Sequence, residues 1–347
     1  MAKGFRLLRR RVVPLAFVGA ALSGHAAQAA DFTVSGGVTD TVAKTLSVGE
    51  TGLIEQGGVL NVTTPANSAA ITVSADGVRV TNNGTITTVG GGRVGIFGDG
   101  GARNAQFVNN GTIRTDAASG YGMASFGPGS KFFNNGTLTT GGANAHAING
   151  TGTNSTLVNN GTLTTSGDGS YGLNSANANS TLVNSGTITT SGTDSYGIGS
   201  TNSGSTLSNS GTITTSGLRS RGMYADGNGV TAVNSGTITT SGSDGEGMRS
   251  DGNNSTLVNS GAITSTNADG IRSVGSGNTL TVSDGGTVTV SGAGLAGIRS
   301  TGANGTINVS GKVIATGSAT EAIVGSSNQT LNIKPGATIV GTINLGA

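Results

Sequence analysis

The sequence predicts an all-β chain folded as a right-handed parallel β-helix of about eleven coils. Three observations carry this expectation. The phrase Asn-Ser-Gly-Thr-Ile-Thr-Thr stands at residues 184–190, 209–215 and 234–240, an interval of 25. Each repeat supplies three apolar positions on short β-prone pieces, none long enough to bury a core alone. Helical repeats of similar length need 3.6-periodic runs of good helix formers, and the chain has none.

The elements follow column by column. The Asn that opens the phrase recurs at Asn82, Asn109, Asn134, Asn159, Asn184, Asn209, Asn234 and Asn259. Two residues earlier stands an apolar residue, as at Leu157 and Leu182. Four residues later stands another, as at Ile188, Ile213 and Ile238. A third series includes Ile198 and reaches from Ile71 to Ile323. Stacking one coil on the next, about 4.8 Å apart, lines the inside of a solenoid with these columns. Strand alternation places Leu182, Asn184, Gly186 and Ile188 on one inward-facing parity. Stacked inward Asn side chains are expected to hydrogen-bond one another and the turn backbone. Gly186 is read as supplying conformational freedom at the corner. The Asn-Gly-Thr strings also match N-glycosylation acceptors, a reading disfavoured because the Asn are taken to point inward.

Three regions are expected. Residues 1–29 read as a signal peptide: Lys3, Arg6, Arg9, Arg10 and Arg11 precede the apolar Val12 to Leu22, and Ala27-Gln28-Ala29 is a cleavage site. Residues 30–76 read as irregular N-terminal capping coils, and residues 77–347 as β-helix repeats that end in mid-array. The chain has 18 basic and 16 acidic residues. Five basic residues leave with the leader, so 13 against 16 gives a net charge of −3. A nucleic-acid partner therefore lacks electrostatic support. With no Cys, the exported chain folds without disulfides.

Runs such as VNNGTLTTSG, VNSGTITTSG and the closing ATIVGTINLGA resemble passenger regions of bacterial autotransporters (type V secretion). The resemblance covers nearly the whole mature chain and concerns architecture more than any one activity. It implies export to the outer membrane or cell surface, or secretion, through a C-terminal β-barrel translocator. No translocator strands with aromatic girdles stand in these residues, so a periplasmic location is the alternative. The family's implied roles are adhesion, aggregation and biofilm formation, with host or bacterial surface glycans, surface proteins or a second copy as partner.

Chemistry is sparse. After leader removal His146 is the only His, flanked by Ala145 and Ala147, in the column of Tyr121, Tyr171 and Tyr196. It reads as an outward position without an orienting acid. The best acidic cluster is Asp226, Asp251, Asp244 and Glu246, with Arg221 and Arg249 in the same units. Stacked carboxylates there could support acid/base work or bind Ca²⁺ in a polysaccharide-active β-helix enzyme, the second reading. Against it, solvated corners of a nearly neutral rod need a few charges for solubility. No Cys/His metal spacing, phosphate loop or nucleophile elbow is present, and no cofactor or catalytic residue is assigned. Paired Thr columns such as Thr162/Thr164 and Thr187/Thr189 resemble the ice-binding face of antifreeze β-solenoids, the third reading. A stripe of Val108, Phe133, Val158, Val183, Val233 and Val258 is a self-association surface in outline.

Overall fold

A computed structural model of the chain describes residues 31–63, 69–90, 94–317, 321–326 and 328–346. The expected signal peptide lies outside them. Every strand among these residues belongs to one of three parallel sheets of 13 strands each. One coil is one strand from each sheet. The coil through Thr181–Asn184, Thr187–Thr190 and Ile198–Ser200 is typical. We call the sheets first, second and third in that order.

The regular columns suggest about eleven coils; less regular coils extend the array to 13 strands per sheet. Phe32–Val34, Thr39–Asp40 and Lys44–Leu46 already pair with all three sheets. Register then holds column on column: Leu157 pairs Leu182, Leu163 pairs Ile188, and Leu173 pairs Ile198. At about 4.8 Å per step, twelve steps give a rod of roughly 60 Å.

The core is a continuous apolar column inside three walls. Leu157, Leu182, Ile188, Ile198, Ile213 and Ile238 have no exposed surface. Short apolar pieces achieve this because each is covered above and below by its counterparts. Phe107 and Phe132 extend the same column with ring centroids 5.0 Å apart.

The corner between the first and second sheets is held by amides. Asn82 to Asn259 are fully buried at the eight positions of the phrase. From Asn82 onward each Nδ2 donates to the next Oδ1 at 2.7 Å, ending at Asn259. Asn184 Nδ2 also donates to the carbonyls of Gly186 (3.2 Å) and Thr212 (3.3 Å). The ladder thus gives corner carbonyls a second donor beside their inter-coil bond, as Gly186 O also accepts from Thr212 N at 2.9 Å.

Two sequence expectations change here. Gly186 is half-buried rather than inward and does not have a left-handed backbone. Glycine is required because a Cβ there would sit 2.1 Å from the Gly161 carbonyl oxygen. That oxygen accepts the inter-coil bond from Thr187 N at 2.9 Å. The glycosylation-type Asn are also not the inward ones: Asn110, Asn135 and Asn160 follow the buried Asn and are exposed. They form a second, outer ladder at 2.8–2.9 Å.

The remaining corners explain the Asn, Asp and Gly content. Asn144, Gly169, Asp194, Arg219 and Asp244 succeed one another at a corner with φ between 52° and 65°. Gly adopts this left-handed conformation freely, and Asn and Asp tolerate it. A buried Thr column, absent from the sequence reading, fastens the same corner: Thr165, Thr190 and Thr215 donate to Ser170, Ser195 and Ser220 carbonyls at 2.9, 2.9 and 2.7 Å.

Candidate functional site

The outward faces of the three sheets differ in chemistry. The second sheet presents two Thr columns, including Thr162/Thr164 and Thr187/Thr189. The first presents a Thr column beside the half-buried stripe Val108, Phe133, Val158, Val183, Val233 and Val258, interrupted by Ser208. Both repeat almost unchanged. The third sheet does not: its composition runs from aromatic to charged along the rod.

Two columns build that face. One holds Tyr121, His146, Tyr171, Tyr196, Arg221, Glu246 and Asp269, each two residues before a core position. The other holds Asn149, Asn174, Gly199, Tyr224, Arg249, Arg272 and Arg299, each just after it. Successive side chains in a parallel stack lie close enough to touch.

The aromatic half is a pile of rings. Centroids are 5.3 Å apart for Tyr121–His146, 4.7 Å for His146–Tyr171 and 4.5 Å for Tyr171–Tyr196. Because the rings face one another along the rod, they offer edges and polar tips to solvent rather than flat faces. Tyr171 N–H donates to His146 Nδ1 at 3.0 Å, so Nδ1 carries no proton. Burial depresses the largely buried imidazole from its ordinary 6.5 to about 4. His146 is therefore neutral at pH 7 and lacks an orienting carboxylate.

This shift has a measurable sign. The unfolded chain binds a proton at His146 near pH 6.5, whereas the folded chain does so only near 4. Folding stability therefore rises with pH across that window, is complete above it, and is lost as pH falls through it. The contribution is roughly 2–3 kcal/mol after some surface screening. The difference in unfolding free energy between the protein and His146→Tyr, followed from pH 7 to 4, should show this slope. Parallel curves for the two proteins would refute it.

The charged half is a bonded network. Arg221 lies over the rings of Tyr196 and Tyr224, 5.1 and 4.8 Å from their centroids. Its Nη1 donates to Tyr196 Oη at 2.7 Å and its Nε to Glu246 Oε2 at 2.9 Å. Arg249 donates to Glu246 Oε1 at 2.9 Å and to Asp251 Oδ1 at 2.7 Å. Tyr224 Oη donates to Asp251 Oδ2 at 2.9 Å. Burial, then the charge and hydrogen bond of Asp251, hold the Tyr224 phenol well above its usual range, so it stays a donor. One coil on, Asp269 accepts Arg299 Nε at 2.7 Å and Ala296 N–H at 2.8 Å.

The structure does not assemble the four acidic residues of the sequence reading into one site. Asp226 and Asp251 follow the third strands, while Asp244 precedes one at the opposite corner. Asp226 is exposed, Asp251 is committed to Arg249 and Tyr224, and Glu246 is buried between arginines. No shared-proton carboxylate pair results. Among the described residues no group of three or more His, Asp or Glu could hold a metal ion.

Two shallow grooves lie on this face. One, of about 620 Å³, runs past His146, Tyr171, Asn174, Asp168, Asp194 and Thr201. The other, of about 490 Å³, runs past three carboxylates, Asp244, Glu246 and Asp269, and past Arg272, Arg299 and Thr301. The sequence reading grouped Arg221, Glu246, Arg249 and Asp251 but missed the bonds among them, the part played by Tyr196, Tyr224, Asp269, Arg272 and Arg299, and the grooves. The only available signal was the 25-residue spacing of Tyr196, Arg221 and Glu246.

No curated protein and no solved structure matches the chain. Residues 140–287, which hold the third-sheet face from His146 to Arg272, are similar to the family described as the BigA third pectate lyase-like domain.

Proposed function

We propose that the chain is an exported, passenger-like β-solenoid with an adhesive or structural role at a surface, and that its third sheet is the binding face. The observation that carries this is the contrast between faces. Two sheets repeat Thr/Thr and Thr/Val columns, whereas the third carries stacked rings, a bonded Arg–Glu–Asp network and two grooves. The similarity to a pectate lyase-like β-helix domain supports a surface or polysaccharide-related role. The mechanism is additive: a rigid rod fixes many weak contacts at once, and avidity exceeds any single contact.

The test uses purified protein against host cells, bacterial cells and immobilised glycans, with sedimentation to follow self-association. Retention on at least one surface, or self-association, is expected. Failure on every surface with no self-association would remove the reading. Localisation is tested separately with an antibody to residues 150–250 on outer-membrane, periplasmic and medium fractions. Outer-membrane or medium signal is expected, and confinement to the cytoplasm would contradict export.

A further inference from the structure

The third sheet carries a short amide ladder that stops unclosed. Asn149 and Asn174 pair in register, and Asn174 Nδ2 donates back to Asn149 Oδ1 at 2.8 Å. The next position, paired with Asn174, is Gly199, which has no side chain to donate in its turn. Asn174 Oδ1 is left without a partner, although the residue is only 6% exposed. A bare buried acceptor is costly, and this one belongs to a residue in the wall of the 620 Å³ groove.

Gly199 matters in a second way. A Cβ built on it would stand 3.2–3.4 Å from the rings of Tyr171 and Tyr196. That is tight contact without overlap, and the backbone there is not left-handed. The glycine thus leaves a notch about one small atom wide, flanked by two rings, one coil on from the bare oxygen. Successive positions of a column lie close enough to touch.

The rest of the groove decides what fits. His146 accepts at Nδ1 from Tyr171 N–H, so the neutral imidazole carries its proton on Nε2 as a donor. Asp168 accepts Thr193 N–H at 2.8 Å and, among the described residues, forms no ion pair. Asp194 is held by Arg219 at 2.6–2.7 Å. An anion would meet the Asp168 charge with no spare cation in the lining to answer it. A metal ion has no cluster to hold it. A flat aromatic guest would meet ring edges. Hydroxyl groups, each a donor and an acceptor, match this mixture of acceptors and donors.

The geometry points to this groove as a subsite for an uncharged sugar chain, with one hydroxyl seated in the Gly199 notch and donating to Asn174 Oδ1. The inference rests on the surface-binding reading above and gives that face a ligand chemistry. The groove has the size of small-ligand sites, about 300–1,000 Å³.

The probes are oligosaccharides of equal length: three neutral ones built of glucose, galactose or mannose, an oligogalacturonate, and an oligomer of glucosamine. Binding is measured by calorimetry at pH 7, at low and high NaCl. At least one neutral probe should bind, with an affinity that salt leaves unchanged, and both charged probes should bind more weakly. Asn174→Leu removes the acceptor and should weaken binding about tenfold or more. Gly199→Ser should abolish it by another route: its hydroxyl fills the notch and closes the ladder, so binding is lost while the urea midpoint does not fall. A merely structural role for Asn174 predicts no such separation. The subsite is overturned if no neutral probe binds, if either variant binds undiminished, or if binding is lost only along with a lowered midpoint in both. It is also overturned if the glucosamine oligomer binds as well as the neutral probes, because Asp168 would then be the recognition group. If no neutral probe binds but the protein adheres to cells or self-associates, the surface reading stands without the subsite; if it does neither, both fall.

Discussion

Glu246→Ala is expected to destabilise the solenoid by about 3–5 kcal/mol. The carboxylate is buried, with 2% of its side chain exposed, and accepts from Arg221 and Arg249 at 2.9 Å. Removing it leaves two guanidiniums in a poorly hydrated place with fewer acceptors. Arg221 would keep only Tyr196 Oη and its contacts with two rings. Most of the loss is the cost of stranded charge rather than the net worth of the pair. For that reason the double replacement Arg221→Met/Glu246→Met should recover much of it, since apolar substitutes for a buried pair are often near neutral. Urea unfolding of the three proteins reads both effects. A loss below about 1 kcal/mol for Glu246→Ala would show the network is solvated rather than structural.

Asn184→Ala should cost about 3 kcal/mol or more. The substitution removes the acceptor of Asn159 Nδ2 and the donor to Asn209 Oδ1, both at 2.7 Å within a dry corner. It also removes one donor from the carbonyls of Gly186 and Thr212, although Gly186 O keeps its bond from Thr212 N at 2.9 Å. Several buried polar groups lose a partner at once, and each unsatisfied group costs on the order of 1–3 kcal/mol. The outer ladder supplies the control. Asn160→Ala breaks a bond of similar length, 2.9 Å to Asn135, at an exposed position where water takes over. Its effect should stay near 0.5 kcal/mol. Equal losses at both positions would mean that burial does not decide the strength of the amide column.

The fold was legible wherever a column keeps its identity. Leu182, Ile188 and Ile198 recur every 25 residues, and recurrence at that interval is what stacking demands. The inward Asn followed from parity with Leu182 and Ile188. Parity also separates neighbouring residues of one type. In Thr189-Thr190 only the second is buried, and in Asn134-Asn135 only the first. The role of Gly186 was misread because a clash with Gly161 of the preceding coil has no trace in the local sequence. The third-sheet face was the least legible part. Tyr196, Arg221, Glu246 and Asp269 share a column yet never repeat a residue type beyond the tyrosines, so self-similarity passes over them. Several of the bonds that hold them cross between the two outward columns, as from Arg249 to Glu246 and from Arg299 to Asp269. Such a diagonal needs the coil geometry before it can be drawn.

The near-constant register also sets how the chain must fold. Every strand pairing joins residues between 20 and 28 positions apart, from the pairing of Phe32 with Gly52 to that of Thr51 with Arg79. Among the described residues no pairing links distant parts of the chain, so a parallel β protein here escapes the slow search such sheets usually require. Closing one coil of about 25 residues costs roughly 3 kcal/mol of loop entropy. The first coil has no template on which to offset that cost; each later coil lays three strands on edges already in place. Growth is therefore a zipper that starts with difficulty and then runs in either direction. Within the described array, an interior rung such as that of Leu182, Ile188 and Ile198 is covered above and below. Such a rung opens only after a neighbour has left, so the amide protons of interior rungs exchange slowly.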